Sequence, residues 1–314
     1  MKVVISEPIA QSGKNYLLER GYQIVDQHLK SREELKEAIK DCDGLLIRIL
    51  KCDKEVLETA TKLRVIGKHG VGVDNIDIDY CTQKKIQVTF TPTTNSNSVA
   101  EHVIFLMLGC ARNTLTVNKR FLSDGDFDIR SKLHGIQLAG KTVGILGLGR
   151  IGRNVAQKCI GMGMKVISYD PYVTQEQAGN DITMMDRDSV LKNADFVSMN
   201  LPCTDETRYA FGAREFSLMK ETAFFINCAR GALVRESDLV KALQDKVIRG
   251  AGIDAYEQEP PDQNSPLFQL ENAFLTPHYA GSTIETTTLT SLHAAMGVDE
   301  VLSGKKISWP YNKL

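Results

Sequence analysis

Long apolar runs are missing from this chain. Its most apolar stretch, residues 103–111, falls far short of the about 20 residues a bilayer-crossing helix requires. The opening residues, Met1-Lys2-Val3-Val4-Ile5-Ser6-Glu7-Pro8, reach a carboxylate and a proline too soon for a secretory signal. An excess of either charge is missing too. With 38 Lys and Arg against 39 Asp and Glu, the formal net charge of -1 gives no general pull toward nucleic acid or anionic membranes. A small local basic patch around an anionic substrate stays compatible with that balance. The seven cysteines are an odd number, and none form Cys-x-x-Cys, so neither a disulfide framework nor a zinc ribbon is expected. These absences predict a reduced, cytoplasmic protein without a metal.

What is present is an ordinary globular composition, 42% hydrophobic and 25% charged. A length of 314 residues exceeds the size at which single cores usually stop growing, so two domains are expected. Up to about residue 92, short β-branched runs (3–5, 23–25, 45–49, 65–66 and 87–90) alternate with charge-rich helical stretches. One of these, residues 31–40, opens with Ser31 and Glu34 in capping-box spacing. A long helical pattern over residues 98–112 follows, then a polar connection over 124–130. A second alternation begins at Lys141, with strands expected at 142–146, 165–169, 196–199, 223–226, 250–254 and 273–275. Repeated strand–helix alternation of this kind predicts α/β architecture with parallel, doubly wound sheets.

Gly147-Leu148-Gly149-Arg150-Ile151-Gly152 follows the strand at 143–146 and opens a helix running to about Cys159. The first glycine permits a tight turn, the second a close backbone approach to pyrophosphate, and the third close helix–strand packing. The helix N-terminus attracts the anion. The next strand ends in Asp170, 18 residues beyond Gly152, where a carboxylate accepts from both ribose hydroxyls and repels a 2′-phosphate. Pro171 and Tyr172 bring no cation to neutralise such a phosphate, so NAD is expected over NADP.

Three later segments end strands: Asn227-Cys228-Ala229-Arg230-Gly231, Asp254-Ala255-Tyr256-Glu257-Gln258-Glu259-Pro260 and Thr276-Pro277-His278-Tyr279-Ala280-Gly281. Taken singly, Arg230 suits a surface ion pair, Glu259 a turn before Pro260-Pro261, and His278 a strand end. In company, and in this order after the glycine loop, they resemble the D-2-hydroxyacid dehydrogenase family. The resemblance extends to His69-Gly70-Val71-Gly72-Val73-Asp74-Asn75-Ile76-Asp77 and Asn95-Ser96-Asn97-Ser98-Val99-Ala100-Glu101-His102, and so covers essentially the whole chain.

That resemblance implies a catalytic set. Arg230 would hold the substrate carboxylate and carbonyl, a planar task suited to guanidinium. His278 would take the hydroxyl proton in oxidation and return it in reduction. Glu259 would pair with His278, favouring the imidazolium. Formate dehydrogenases of the superfamily carry an amide in place of this Glu, so Glu259 argues against formate. Further NAD contacts are implied at Val99, Leu201-Pro202, Thr207, Cys228-Ala229, Asp254 and Ala280-Gly281. Cys228 is read as a packing residue, since hydride transfer needs no nucleophile.

On the substrate side the resemblance implies the backbone of Val71-Gly72 and the side chain of Asn95, with Arg48 and Lys68 as phosphate-binding cations. The phosphoglycerate enzymes usually carry Arg where Lys68 stands, a small residue where His69 stands, and an aliphatic where Tyr279 stands. The chain also stops at Leu314, which predicts no C-terminal regulatory domain. The expected architecture is a Rossmann-type NAD domain, residues 97–285, inserted into a flavodoxin-like substrate domain, residues 1–96 and 286–314. The expected activity is NAD-dependent interconversion of a D-2-hydroxy acid and its 2-oxo acid, D-3-phosphoglycerate first. Hydroxypyruvate or glyoxylate reduction is one alternative, and an NAD-sensing binding protein another. A homodimer using residues 99–138 is expected, and whether Arg130 reaches a neighbouring subunit's substrate stays open.

Overall fold

The computed structural model describes residues 1–314. Residues 1–95 with 282–314 form one compact unit, and residues 96–281 form another.

The first unit is built on five parallel strands: β1 (Lys2–Ile5), β2 (Gln23–Asp26), β3 (Gly44–Ile47), β4 (Val65–Lys68) and β5 (Gln87–Thr89). They run in the order β2-β1-β3-β4-β5, the flavodoxin-like arrangement. β3, β4 and β5 are buried along their whole length, and β3 with the first half of β4 reads as apolar, whereas β5 buries Gln87 and Thr89 around a single Val88. The Ile284–Leu302 helix returns to this sheet, packing Ala294, Ala295, Val298 and Leu302 with Val3, Ile5 and Val65. Gly67 makes that approach possible, since a Cβ there would lie 2.6 Å from Val298 Cγ2 and 2.9 Å from the Ala294 carbonyl oxygen. The Arg32–Ala38 helix is capped by Ser31, which accepts from Glu34 N–H at 3.2 Å. The reciprocal half of the capping box is displaced by one residue, because Glu34 reaches Lys30 N–H instead of Ser31. The chain's last segment pairs antiparallel with β5. Phe90 N–H donates to the Trp309 carbonyl, and Tyr311 N–H to that of Val88.

The second unit holds seven parallel strands: β6 (Thr142–Leu146), β7 (Lys165–Tyr169), β8 (Ile182–Met184), β9 (Phe196–Met199), β10 (Phe224–Asn227), β11 (Gly250–Ile253) and β12 (Ala273–Leu275). Their order is β12-β11-β10-β9-β6-β7-β8. Counted from β6, the first six strands follow the 3-2-1-4-5-6 Rossmann order, with β12 added beyond β11. β8 is an element that periodicity does not announce, a three-residue edge strand with only Ile182 buried. A helix at Thr114–Asp124 fills the stretch before the expected polar connection, and a short one at Ile129–Lys132 takes up that connection's end. Thr114–Asp124 buries none of its residues, so it carries no core-facing stripe to read. No helix is long and apolar enough to cross a membrane.

Candidate active site

In the second unit, the carboxyl ends of adjacent parallel strands deliver the glycine loop (β6), Asp170 (β7), Leu201-Pro202 (β9), Arg230 (β10), Asp254 (β11) and His278 (β12). Open α/β sheets bind ligands at that edge.

The three loop glycines have different reasons to be glycine. Gly147 sits at φ +93°, and a Cβ on it would lie 2.8 Å from the Asn200 carbonyl oxygen. On Gly152 a Cβ would come within 2.1 Å of the Gly147 carbonyl oxygen. Gly149 has an ordinary φ of -74°, and a Cβ there would meet nothing within 4 Å. Neither conformation nor packing accounts for it. A pyrophosphate lying against the backbone does, so the cradle fits a dinucleotide. Arg150 and Ile151 open the helix Arg150–Gly161 behind it. Asp170 accepts Leu148 N–H at 2.8 Å and Tyr172 N–H at 2.9 Å, one on each carboxylate oxygen. Each oxygen keeps a second lone pair for a ribose hydroxyl. Thr207 accepts Thr204 N–H and donates to the Pro202 carbonyl at 2.7 Å, closing the loop after β9. Val99 is buried early in the Ser96–Ala111 helix.

Asn227 shapes the loop after β10. Its Oδ1 accepts Ala229 N–H and its Nδ2 donates to the Arg230 carbonyl, both at 3.0 Å. Burial pushes the Cys228 thiol well above its ordinary value, so it is held as a neutral thiol rather than a nucleophile. At Gly231 a Cβ would fall 1.8 Å from the Tyr256 carbonyl carbon. The loops after β10 and β11 therefore meet backbone to backbone.

Glu259 then faces His278, with Nδ1 at 2.9 and 2.7 Å from its two carboxylate oxygens, and Oε1 also accepts Tyr256 N–H at 3.1 Å. The hydrogen bond to Glu259 raises the His278 pKa, against burial and the nearby Arg230 charge. Burial pushes the Glu259 carboxyl upward, but its contacts with His278 outweigh this and hold it below the ordinary value. A carboxylate on Nδ1 fixes a proton there, leaving Nε2 to exchange one with a ligand. His278 itself has a left-handed backbone, φ +51°, at a cost of about 1–2 kcal/mol. Ala280 is buried and Gly281 half-buried directly after it.

In the first unit, Asn95 leaves a buried side-chain oxygen without a partner, an acceptor that a substrate hydroxyl would satisfy. Val71 and Gly72 lie half-buried in the loop after β4. Arg48 donates to the Pro8 carbonyl at 2.7 Å. Lys68, expected to bind phosphate, also has partners within its own unit. It is 7% exposed at the end of β4, and its ammonium donates to the Arg48 carbonyl and, at 2.8 Å, to Asn75 Oδ1. A cation buried there must find internal partners, and two of its three ammonium hydrogens go to the loop after β3 and to Asn75. Glu7, also buried, holds the same loop from its other side, accepting N–H from Arg48, Ile49 and Leu50 at 2.7, 2.8 and 3.2 Å. Sequence reading missed Glu7 and Asn75 because strand-end carboxylates and amides carry no periodic signal. Burial pushes His69 down to about 4, so it is neutral, with Nε2 3.0 Å from Ser291 Oγ.

The family model of the D-isomer specific 2-hydroxyacid dehydrogenase NAD binding domain matches residues 104–280. D-3-phosphoglycerate dehydrogenase of Methanocaldococcus jannaschii is 40% identical over 308 residues, 97% of this chain and 58% of that protein. The enzyme of the same name from Archaeoglobus fulgidus is 39% identical over 287 residues, 91% of this chain and 54% of the relative. The chain thus spans a little over half the length of these relatives. The solved structure of the TT0316 protein from Thermus thermophilus superposes with a TM-score of 0.92 at 30% identity, covering 99% of this chain and 100% of that one. With a family model spanning over half of its residues and a solved structure matched along its full length, the chain belongs to the D-isomer specific 2-hydroxyacid dehydrogenase family.

Proposed function

We propose that this chain is an NAD-dependent oxidoreductase interconverting a D-2-hydroxy acid and its 2-oxo acid, with D-3-phosphoglycerate as the leading substrate. The observation that carries the reaction is the Glu259–His278 pair at 2.7 Å, beside an arginine loop seated on Gly231. Arg230 binds the substrate carboxylate and carbonyl oxygen. In oxidation His278 Nε2 takes the hydroxyl proton as the C2–H bond breaks, and the resulting imidazolium is stabilised by Glu259. A bound nicotinamide would supply the hydride chemistry, as acceptor in oxidation and donor in reduction. In reduction the imidazolium returns the proton to the new alkoxide. Asp170 selects NAD, since a 2′-phosphate would meet a carboxylate already aimed at the loop. Val99, Gly147, Gly149, Arg150, Ile151, Gly152, Leu201, Pro202, Thr207, Cys228, Ala229, Asp254, Ala280 and Gly281 complete the cofactor's surroundings. Val71-Gly72, Asn95 and Arg48 are the residues assigned to the substrate by the family resemblance.

Identity to the phosphoglycerate enzymes favours a phosphorylated substrate. The engagement of Lys68 favours a second reading, a hydroxypyruvate or glyoxylate reductase. The seven free cysteines suit a reducing cytoplasm. Exposed Phe105, Leu115, Phe121, Leu122 and Phe127 along residues 96–132 suit burial against a second copy of this chain.

A panel of 2-hydroxy and 2-oxo acids followed by NADH absorbance tests the reaction, and two variants test the substrate. If phosphate is recognised, Arg48→Ala raises KM for 3-phosphoglycerate about 10- to 150-fold, the loss of one charged hydrogen bond, and hardly affects glyoxylate. Lys68→Ala, which frees the loop, weakens both. Equal losses in Arg48→Ala would move the assignment to an unphosphorylated acid. No turnover of any member of the panel would remove the reaction itself.

A further inference from the structure

Asp254, directly after β11, is fully buried and collects three hydrogens. Its Oδ1 accepts the Thr276 hydroxyl at 2.6 Å and Tyr279 N–H at 2.7 Å, and its Oδ2 accepts Ala280 N–H at 2.9 Å. A threonine hydroxyl has one proton, and here the carboxylate takes it. Thr276 Oγ1 can therefore only accept from His102 Nε2, 3.0 Å away, so His102 must carry its hydrogen on Nε2. The His102 side chain is 11% exposed. Burial lowers its pKa against the opposing charge of Asp254, which keeps the ring neutral at neutral pH.

These bonds converge on the turn that presents His278. Its N–H donates to the Thr276 carbonyl at 3.0 Å, and that carbonyl also accepts the Tyr256 hydroxyl at 2.9 Å. The two peptide N–H groups after His278 are the ones Asp254 holds. A left-handed residue without such restraint relaxes toward ordinary backbone angles, because the strain persists only where surroundings impose it.

We propose that His102 is a positioning residue for His278. Its N–H orients the Thr276 hydroxyl, the hydroxyl orients Asp254, and Asp254 clamps Tyr279 and Ala280 so that His278 Nδ1 stays on Glu259. The charged groups acting on His278 are Glu259, Asp254 and Arg230, and the hydrogen bond to Glu259 has the largest effect of them.

The activity arm of the test rests on the reaction proposed above, and the spectroscopic arm does not. His102→Gln keeps an N–H at the reach of Nε2, and His102→Leu removes it. In the full chain, imidazole NMR titration reads the His278 pKa without substrate or cofactor. His102→Leu is expected to lower that midpoint by about half a pH unit or more as the Glu259 contact loosens. It should also cut kcat for 2-oxo acid reduction about ten-fold with KM nearly unchanged. His102→Gln should restore both to near native values. Thr276→Ser against Thr276→Val gives the same contrast if His102→Leu fails to fold. An unchanged His278 midpoint in His102→Leu, or in Thr276→Val, overturns the proposal, as does a glutamine variant no better than leucine. A midpoint that moves as expected in a chain that turns over no 2-oxo acid would keep the relay and sink the reaction.

Discussion

Replacing Glu259 by Gln keeps the size of the side chain and removes the charge that His278 Nδ1 meets at 2.7 Å. That contact is the largest cause raising the His278 pKa, and burial acts the other way, so the variant's histidine should titrate at lower pH. In reduction the protonated ring is the active form. The rate should therefore fall with rising pH through a midpoint above 6.5 in the native chain and through a lower one in Glu259→Gln. A loss in kcat of roughly 100-fold is expected from the weakened acid–base group. An identical pH profile in both proteins would count against the pair. The same shift has a stability consequence. A raised folded pKa means that protonated His278 contributes stability fully present below the unfolded value of about 6.5 and lost as pH rises through the folded value. Of this residue-scale picture, the pairing of Glu259 with His278 was legible through the family resemblance of the segments that follow β10, β11 and β12. Asp254's hold on Tyr279 and Ala280 was not. Nothing in a sequence says which backbone N–H groups a buried carboxylate collects.

At the scale of the element, the strand–glycine loop–helix unit separates demands of the fold from demands of a ligand. A Cβ on Gly152 collides with the turn itself, so Gly152→Ala should lose stability by about 1–3 kcal/mol through overpacking. Gly149→Ala fills open space and should cost at most about 1 kcal/mol, mostly as a poorer N-cap. Its NADH affinity should nevertheless drop at least about ten-fold as the methyl group meets the pyrophosphate. Calorimetry and NADH fluorescence titration check the two arms. A Gly149→Ala protein that binds NADH normally would mean that the cradle serves something else. The buried strands were legible as short β-branched runs, whereas β8 and the Thr114–Asp124 helix were not. One is three residues long at an edge, and the other turns Leu115, Phe121 and Leu122 outward. Amphipathic reading finds a helix by the face it buries within its own chain, and this helix buries none.

That outward face sets the expectation for the whole molecule. The native protein should scatter light as a species of twice the single-chain mass. Phe121→Asp with Leu122→Asp should bring it to one chain without altering its circular dichroism. A native protein already of single-chain mass at micromolar concentration would refute this. The division into two units was legible from length and from the two rounds of strand–helix alternation. The crossing points lie at Asn95–Ser96 and Gly281–Ser282, next to the segments that carry Asn95 and His278. The sheet of the first unit also has two outer strands, and the chain treats them differently. β2 is half-exposed and carries Asp26, paired to Lys14 at 2.5 Å, so a charge stands on that rim. β5 has no such guard. Residues 309–312 lie along it instead, and Asn312 accepts Val88 N–H at 2.7 Å while donating to the Ile86 carbonyl. Peptide groups that would otherwise offer a template to a neighbouring chain are already taken. Residues 309–312 thus act as a built-in stopper against self-templated sheet growth, and the few contacts that hold them, those of Asn312 above all, guard solubility rather than chemistry.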